Sequence, residues 1–170
     1  MTLIIRTVEP ADTQQILQFV KELAIYERAE HEAVATEADI ARSLFSDEPS
    51  AYGLMAEHHG KAIGFAVYFY NYSTWLGRRG LYLEDLYVTP QARGIGAGKA
   101  LLKRLAEIAV GKQCGRMEWS VLDWNEPAIR FYEAIGAKPQ DEWTVYRLAG
   151  EGLLSLSGSS KTAASDEVAD

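Results

Sequence analysis

The sequence predicts an α/β (α+β) fold in which a mixed, mostly antiparallel central sheet is flanked by helices. Three observations predict this class. β-rich runs and amphipathic helical runs alternate along residues 1–150. Three strand-like runs follow one another in the middle of the chain, and the last of them leads through a glycine-rich turn into a helix. The 170 residues are 48% hydrophobic, which is enough for one stable core, so we predict a single domain over 1–150.

The predicted element order is β-α-α-β-β-β-α-β-α-β. The strands are LIIRTV, AYGLMAEH, KAIGFAVYFYNY, LYLEDLYV, RMEWSVLDW and a last one near WTVYRL. The helices are PADTQQILQFVKELAIYE, TEADIARSLF, GKALLKRLAEIAVGK and EPAIRFYEAIG. Asp12 is predicted to cap the first helix, and Thr36 with Asp39 forms a near capping box at the second. HHGK is predicted as a hairpin turn and WLGRRG as a loop.

The end of the chain differs in composition. Residues 151–170 read EGLLSLSGSSKTAASDEVAD and have few bulky apolar residues after Leu156. We predict a C-terminal tail that is disordered beyond about residue 156.

Composition excludes several classes of function. The net charge of −7 argues against a nucleic-acid partner, which usually selects a basic surface. No apolar run approaches the roughly 18 residues of a membrane span, and the N-terminus lacks a signal-peptide pattern, so we expect a cytoplasmic protein without membrane contact. Cys114 is the single cysteine, which fits a reducing compartment. The three histidines have no metal-ligand spacing, and no metal is expected.

The stretch TPQARGIGAGKALL places glycines at 94, 96 and 98, where a strand turns into a helix. Such a turn exposes backbone N–H groups at a helix N-terminus and suits a phosphate, although it also serves as a flexible turn. A P-loop is excluded because Ala100 stands where Ser or Thr is required. A dinucleotide fingerprint is excluded because Lys99 occupies the position of its last glycine.

YVTPQARGIGAGKALL matches the R-x-x-G-x-G motif of the Gcn5-related N-acetyltransferases (GNAT), with Arg93, Gly96 and Gly98 at the defining positions. The predicted element order also resembles that family. YSTWLGRRGLYLEDLYV, VLDWNEPAIRFYEAIGA and ELAIYE resemble in particular the diamine acetyltransferases and their thialysine acetyltransferase relatives, over roughly residues 3–148. The resemblance implies acetyl transfer from acetyl-CoA to an amine by direct attack in a ternary complex, and a homodimer.

The resemblance implies a set of cofactor contacts. Backbone groups on the strand and the glycine turn are expected at Leu86, Tyr87, Val88, Gly94, Ile95, Gly96, Ala97, Gly98 and Lys99, with further contacts at Arg93, Asn125, Pro127 and Tyr132. Asn125 is equally a helix N-cap ahead of Pro127. The resemblance implies that Tyr132 is the acid that protonates the coenzyme A thiolate, whereas a tyrosine on an amphipathic helix is otherwise a core residue.

Glu84 and Asp85 are adjacent on a strand, so alternation predicts that they point to opposite faces of the sheet. The resemblance implies that Glu84 faces the substrate amine, directly or through water, and that Asp85 helps bind a cation; an exposed strand end is the alternative. The same acceptor pocket is expected to include Tyr26, Glu27, Trp75, Glu118, Trp119 and Ser120.

The acceptor is expected to be a small cationic amine. Ser73 stands in YSTW where diamine acetyltransferases tend to carry an acid, which favours a lysine-like amine such as thialysine over a long polyamine. Arg78 and Arg79 are available for such a substrate's carboxylate, although solvated arginines are the more common case. Two alternatives stay open at this point: a non-catalytic acyl-CoA-binding regulatory module, and an acetyltransferase for a protein amine.

Overall fold

The computed structural model describes residues 2–159. These residues form two compact units, the first ending at Asn125 and the second beginning at Glu126. The first unit contains β1 (Leu3–Thr7), α1 (Thr13–Tyr26), α2 (Glu37–Phe45), β2 (Tyr52–His58), β3 (Lys61–Ser73), β4 (Arg78–Val88), α3 (Ala97–Gly111) and β5 (Met117–Trp119). The second contains α4 (Glu126–Ala134) and α5 (Gly150–Ser157). The single domain over 1–150 stays a prediction.

The strand order is β1-β2-β3-β4-β5. The first four strands are antiparallel neighbours, and β5 is parallel to β4, which confirms the mixed, mostly antiparallel sheet. The predicted HHGK hairpin is also confirmed. Its central residues His59 (φ 51°) and Gly60 (φ 74°) both have positive φ, as a two-residue turn between twisted strands requires.

Each face of the sheet packs against different helices. On one face Phe65 and Tyr87 form a core cluster with Ile16 and Phe19 of α1. The residues that alternate with them, including Tyr68, face the opposite side, where α3 lies, and Arg104 of α3 acts electrostatically on Tyr68. A residue of β4 therefore meets either α1 or α3 according to its register.

The start of α1 differs from the prediction. Asp12 precedes the helix, but its side chain makes no capping bond to α1. Its carboxylate instead accepts hydrogen bonds from Arg6 at 2.7 and 2.9 Å and from the Glu9 N–H at 2.7 Å. Arg6 also donates to Glu57 of β2 at 2.7 and 2.9 Å. The half-buried guanidinium outcompetes the weaker helix N–H groups for this carboxylate.

We expect Arg6→Met to lower the free energy of unfolding by about 2 kcal/mol, because two half-buried carboxylates lose their cation. Arg6 holds the pKa of Asp12 below its ordinary value. The stabilisation is therefore present above that ordinary value and is lost as pH falls through the lower, folded-state pKa. Urea unfolding at pH 7 should show the difference, and it should shrink at the most acidic pH reached. Arg42→Met, which removes an exposed pair with Asp39, is the control and should be silent. A difference that does not change with pH would contradict this account.

Three further elements differ from the prediction. Residues 143–148 (WTVYRL) form no strand within the described chain, and Val145 and Tyr146 are 84% and 93% exposed. β propensity alone does not make a strand where no neighbour supplies the ladder. The strand predicted over RMEWSVLDW is limited to Met117–Trp119, and β4 begins inside the predicted WLGRRG loop, at Arg78.

The C-terminal region contains an unpredicted helix, α5, up to Ser157. The predicted disorder beyond about residue 156 falls mainly on residues 160–170, which lie outside the described residues. None of the helices in residues 2–159 has the length and apolarity needed to cross a membrane.

Candidate active site

The glycine turn lies between the end of β4 and the start of α3. Gly94 (φ 90°) and Gly96 (φ 87°) adopt left-handed conformations, and Gly96 is the N-cap of α3. The first intrahelical bond is donated by the Ala100 N–H to the Gly96 carbonyl at 2.9 Å, and no side chain caps this end. The N–H groups of the first turn are therefore available to an external acceptor.

The space over this turn is open. A Cβ built on Gly94, Gly96 or Gly98 would meet no atom within 4 Å. The turn thus forms a cradle of backbone donors at the positive end of a helix, which is the arrangement that binds phosphate groups.

One edge of β4 is open immediately before the glycine turn. On one side β4 pairs with β3 as far as Val88. On the other side β5 pairs with Leu81, Tyr82 and Leu83 alone. In the described chain, the edge from Glu84 to Val88 has no strand neighbour on that side, so its backbone groups can bind an extended ligand.

A β-bulge lies where this open edge begins. Val67 pairs with Asp85 and Tyr68 pairs with Leu83, so Glu84 has no partner in the register. Leu83 consequently shares the α3 face with Tyr68, whereas Asp85 shares the α1 face with Val67. The prediction that Glu84 and Asp85 point to opposite faces assumed an unbroken alternation, which the bulge removes.

Three acids interact at this bulge and at the end of α1. Burial, together with smaller contributions from the charges of Glu84 and Glu27, raises the pKa of Asp85 to about 6. Burial also raises the pKa of Glu27, with a second contribution from Glu84. We call Glu27, Glu84 and Asp85 the acidic cluster. Among residues 2–159, no lysine or arginine forms an ion pair with any of the three.

Tyr26, which precedes Glu27 of the acidic cluster, contacts two of the predicted cofactor residues, Asn125 and Arg93. Its hydroxyl donates to Oδ1 of Asn125 at 3.0 Å, and Asn125 is 9% exposed. The guanidinium of Arg93 lies 5.4 Å from the Tyr26 ring centroid, and Arg93 Nε donates to the Val88 carbonyl at 3.3 Å. Predicted cofactor residues and predicted acceptor residues thus meet at the end of α1.

Residues 15–137 match the family model described as Acetyltransferase (GNAT) family. The chain belongs to the GNAT acetyltransferase family. A mouse thialysine N-epsilon-acetyltransferase is 34% identical, with 91% of this chain and 96% of the mouse protein covered. The human spermidine/spermine N(1)-acetyltransferase-like protein 1 is 39% identical, over 89% of this chain and 23% of that protein. An integron cassette protein from V. cholerae has a TM-score of 0.77 and 32% identity, with 92% and 98% of the two chains covered.

The chain is therefore a GNAT N-acetyltransferase, and acetyl-CoA is the co-substrate of this family. The open glycine cradle and the open edge of β4 fit the pyrophosphate and the pantetheine arm of that molecule. No group of three or more His, Cys, Asp or Glu in residues 2–159 is arranged to hold a metal ion.

The other predicted site residues of this GNAT acetyltransferase lie on elements other than the glycine turn and the acidic cluster. Glu118 and Trp119 lie on β5, and Ser120 follows it directly. Glu118 accepts a hydrogen bond from Arg116 at 3.1 Å, and the Ser120 hydroxyl is hydrogen-bonded to the Tyr82 hydroxyl at 2.8 Å. Trp75 is in the β3–β4 loop and is 84% exposed. Pro127 and Tyr132 lie on α4 in the second unit, and their roles stay predictions.

The Tyr87 side chain belongs to the core and not to the site. It is 6% exposed and donates to Glu22 at 2.8 Å, and burial with this bond raises its pKa to about 12. Its predicted cofactor contact concerns the backbone alone. Two residues beside the site were not singled out from the sequence: Arg28, whose guanidinium lies 4.2 Å from the Trp124 ring centroid, and Trp124 itself. The sequence offers one sign of Arg28: it directly follows Glu27, a predicted site residue.

Proposed function

We propose that this enzyme transfers an acetyl group from acetyl-CoA to a primary amine of a small cationic acceptor. The acidic cluster carries the proposal, because three acids without a basic partner lie beside the open edge of β4. Acids that repel one another are stabilised by a bound cation. The names of the relatives, a thialysine N-epsilon-acetyltransferase and a spermidine/spermine N(1)-acetyltransferase-like protein, support an acceptor of this class.

Acetyl-CoA supplies a thioester as acyl donor. Backbone N–H groups of residues 94–99 would bind its pyrophosphate, with Arg93 at the start of the turn. The backbone of Leu86, Tyr87 and Val88 would bind the pantetheine arm along the open edge of β4. Asn125, held by Tyr26, would contribute a further contact near the reacting groups.

The acceptor must lose a proton before it can attack. An alkylamine with a pKa near 10.4 is neutral in only about one molecule in 10³ at pH 7, a cost of roughly 4–5 kcal/mol. In the proposed mechanism Asp85 and Glu27 attract the cation, and Glu84 accepts its proton through water. The amine nitrogen then forms a bond to the acetyl carbon, and the carbon–sulfur bond breaks. The nitrogen loses its second proton to water, the thiolate takes a proton from Tyr132, and water returns a proton to Tyr132.

Tyr132→Phe is expected to lower kcat about tenfold and to leave both KM values within about twofold. The effect is moderate because a thiolate with a pKa near 8.5 also leaves with protonation from water. Steady-state kinetics measures both parameters. Phe131→Leu on the same helix is the control, and an unchanged kcat in Tyr132→Phe would exclude Tyr132 as the acid.

Among cationic amines we favour a lysine-like acceptor over a long polyamine. Ser73 is 8% exposed, and its Oγ accepts from the Leu76 N–H at 3.2 Å, so this hydroxyl closes the β3–β4 loop. The loop therefore offers no carboxylate at position 73 for a second ammonium group. Arg78 and Arg79 at the start of β4 would meet a substrate carboxylate.

A coenzyme A release assay tests the function. Acetyl-CoA is offered with spermidine, spermine, putrescine, thialysine, lysine and ornithine, and we expect the highest kcat/KM with thialysine or another lysine-like amine. A much higher value with spermidine would contradict the argument from Ser73. No turnover with any of these, together with acetylation of a peptide amine, would assign a protein acceptor.

We further propose a cytoplasmic homodimer, testable by localisation and by light scattering.

A further inference from the structure

Arg28 is held away from the acid that precedes it. α1 ends at Tyr26, and Arg28 has φ 59°, a left-handed conformation that an L-residue with a long side chain rarely adopts. Its guanidinium carbon lies 4.2 Å from the centroid of the Trp124 ring, in a cation–π arrangement. The Trp124 ring in turn lies 6.1 Å from the Tyr26 ring.

The location of this stack matters because Arg28 is the cation nearest in sequence to the acidic cluster. It follows Glu27 directly, and its long flexible side chain has the reach to pair with that carboxylate. In the described residues it does not do so, and the pKa of Glu27 is shifted upwards, by burial and by Glu84. An arginine paired with Glu27 would lower that pKa.

We propose that Trp124 is a positioning residue that holds the Arg28 guanidinium on its ring and so keeps the acidic cluster available for the ammonium group of the acceptor. This inference rests on the proposed function. A stack on tryptophan and a half-exposed ion pair are of similar strength, so the ring decides which of the two Arg28 makes. Without the ring, Arg28 becomes an internal competitor for the site that binds the substrate.

Internal competition has a distinct kinetic signature. We expect Trp124→Leu to raise KM for the best amine of the panel roughly fivefold. At saturating amine the substrate displaces Arg28, so kcat should stay within about twofold. The second change, Arg28→Gln in the Trp124→Leu background, removes the competitor and should return KM to within about twofold of the wild-type value. Arg28→Gln alone should not raise KM.

A merely structural role for the stack predicts the opposite pattern. Arg28→Gln alone would then raise KM as much as Trp124→Leu, and the double variant would be no better than either; this result would overturn the proposal. Tyr52→Leu is the matched control, because it removes another partly exposed aromatic ring, stacked on Tyr68 at 5.6 Å, that has no part in the proposed site. Its KM for the amine should not change.

Two further measurements keep the outcomes distinct. Calorimetric titration of the amine into the acetyl-CoA-free protein should show the same fivefold loss and the same rescue, independently of turnover. If Trp124→Leu does not fold, Trp124→Phe is used in its place and should raise KM for the amine about twofold. If Arg28→Gln does not restore KM in the Trp124→Phe background, the proposal is overturned. Suppose that the wild-type protein turns over amines, that Asp85→Asn impairs this turnover, and that Arg28→Gln does not restore KM in the Trp124→Leu background: the role of Trp124 is then wrong and the proposed function stands. If the wild-type protein neither binds nor turns over any amine, both proposals are wrong.

Discussion

Asp85→Asn is expected to lower kcat/KM for a cationic amine by at least about 100-fold. A buried carboxylate that contacts a substrate cation contributes a few kcal/mol, and the amide neither attracts the ammonium group nor compensates for its desolvation. KM for acetyl-CoA should stay within about threefold, since the glycine cradle is unchanged. Glu48→Gln, an exposed acid beyond α2, controls for loss of one negative charge. An Asp85→Asn enzyme with near-normal kcat/KM would remove the acidic cluster from the site.

The pH dependence of this variant provides a second check. Burial raises the pKa of Asp85 to about 6, so below that pH the carboxyl gains a proton and the wild-type kcat/KM should fall additionally. The kcat/KM of Asp85→Asn should show no additional fall at that pH, because the amide does not titrate. For stability the sign is reversed: an acid with a raised folded-state pKa costs stability as pH rises through that value. The stability gained by Asp85→Asn over the wild type should therefore grow as pH rises from about 4 to about 6 and stay constant above that, measured by urea unfolding.

Gly96→Ala is expected to raise KM for acetyl-CoA roughly 100-fold. Gly96 has φ 87°, and a Cβ there would enter the open space of the cradle. The methyl group would obstruct the pyrophosphate and would strain the turn by about 1–2 kcal/mol. KM for the amine should change less than threefold.

The two causes are separated by a matched glycine. Gly60 in the β2–β3 hairpin has φ 74° and likewise has no atom within 4 Å of a built Cβ. Gly60→Ala should therefore lose similar stability, seen as a similar decrease in Tm, with normal acetyl-CoA kinetics. Equal effects of both changes on KM would mean that strain, and not the cradle, explains the loss.

Local patterns in the sequence were sufficient for much of the fold. The two-residue turn at His59 and Gly60 follows from turn chemistry, and the capping box of α2 forms as predicted, with the Asp39 N–H donating to Thr36 Oγ at 3.2 Å. The glycine turn is indicated by three alternating glycines between a strand and a helix, and two of them, Gly94 and Gly96, have positive φ in the structure. Each of these features is determined by residues within a few positions of one another.

Features that depend on distant residues were not predictable. The bulge at Glu84 results from the register between β3 and β4, and periodicity in a single strand contains no sign of it. The prediction that Asp12 caps α1 is wrong because the carboxylate binds Arg6 instead. Arg6 belongs to another element, so the local pattern around Asp12 contains no sign of it. The stack of Arg28 on Trp124 joins residues that are far apart in sequence, so neither residue was singled out.

The bulge in β4 divides one strand into two segments of opposite phase. Before Glu84, odd-numbered residues such as Leu83 face α3; after it, odd-numbered residues such as Asp85 face α1. If Glu84 were instead paired in the ladder, alternation would run unbroken from Leu83, and Asp85 would lie on the α3 side, in the layer of Leu83. The side of the sheet on which this acid lies is thus determined by one unpaired residue in the neighbouring register, and a one-residue deletion there would remove Glu84 from the acidic cluster while leaving Asp85 opposite Val67.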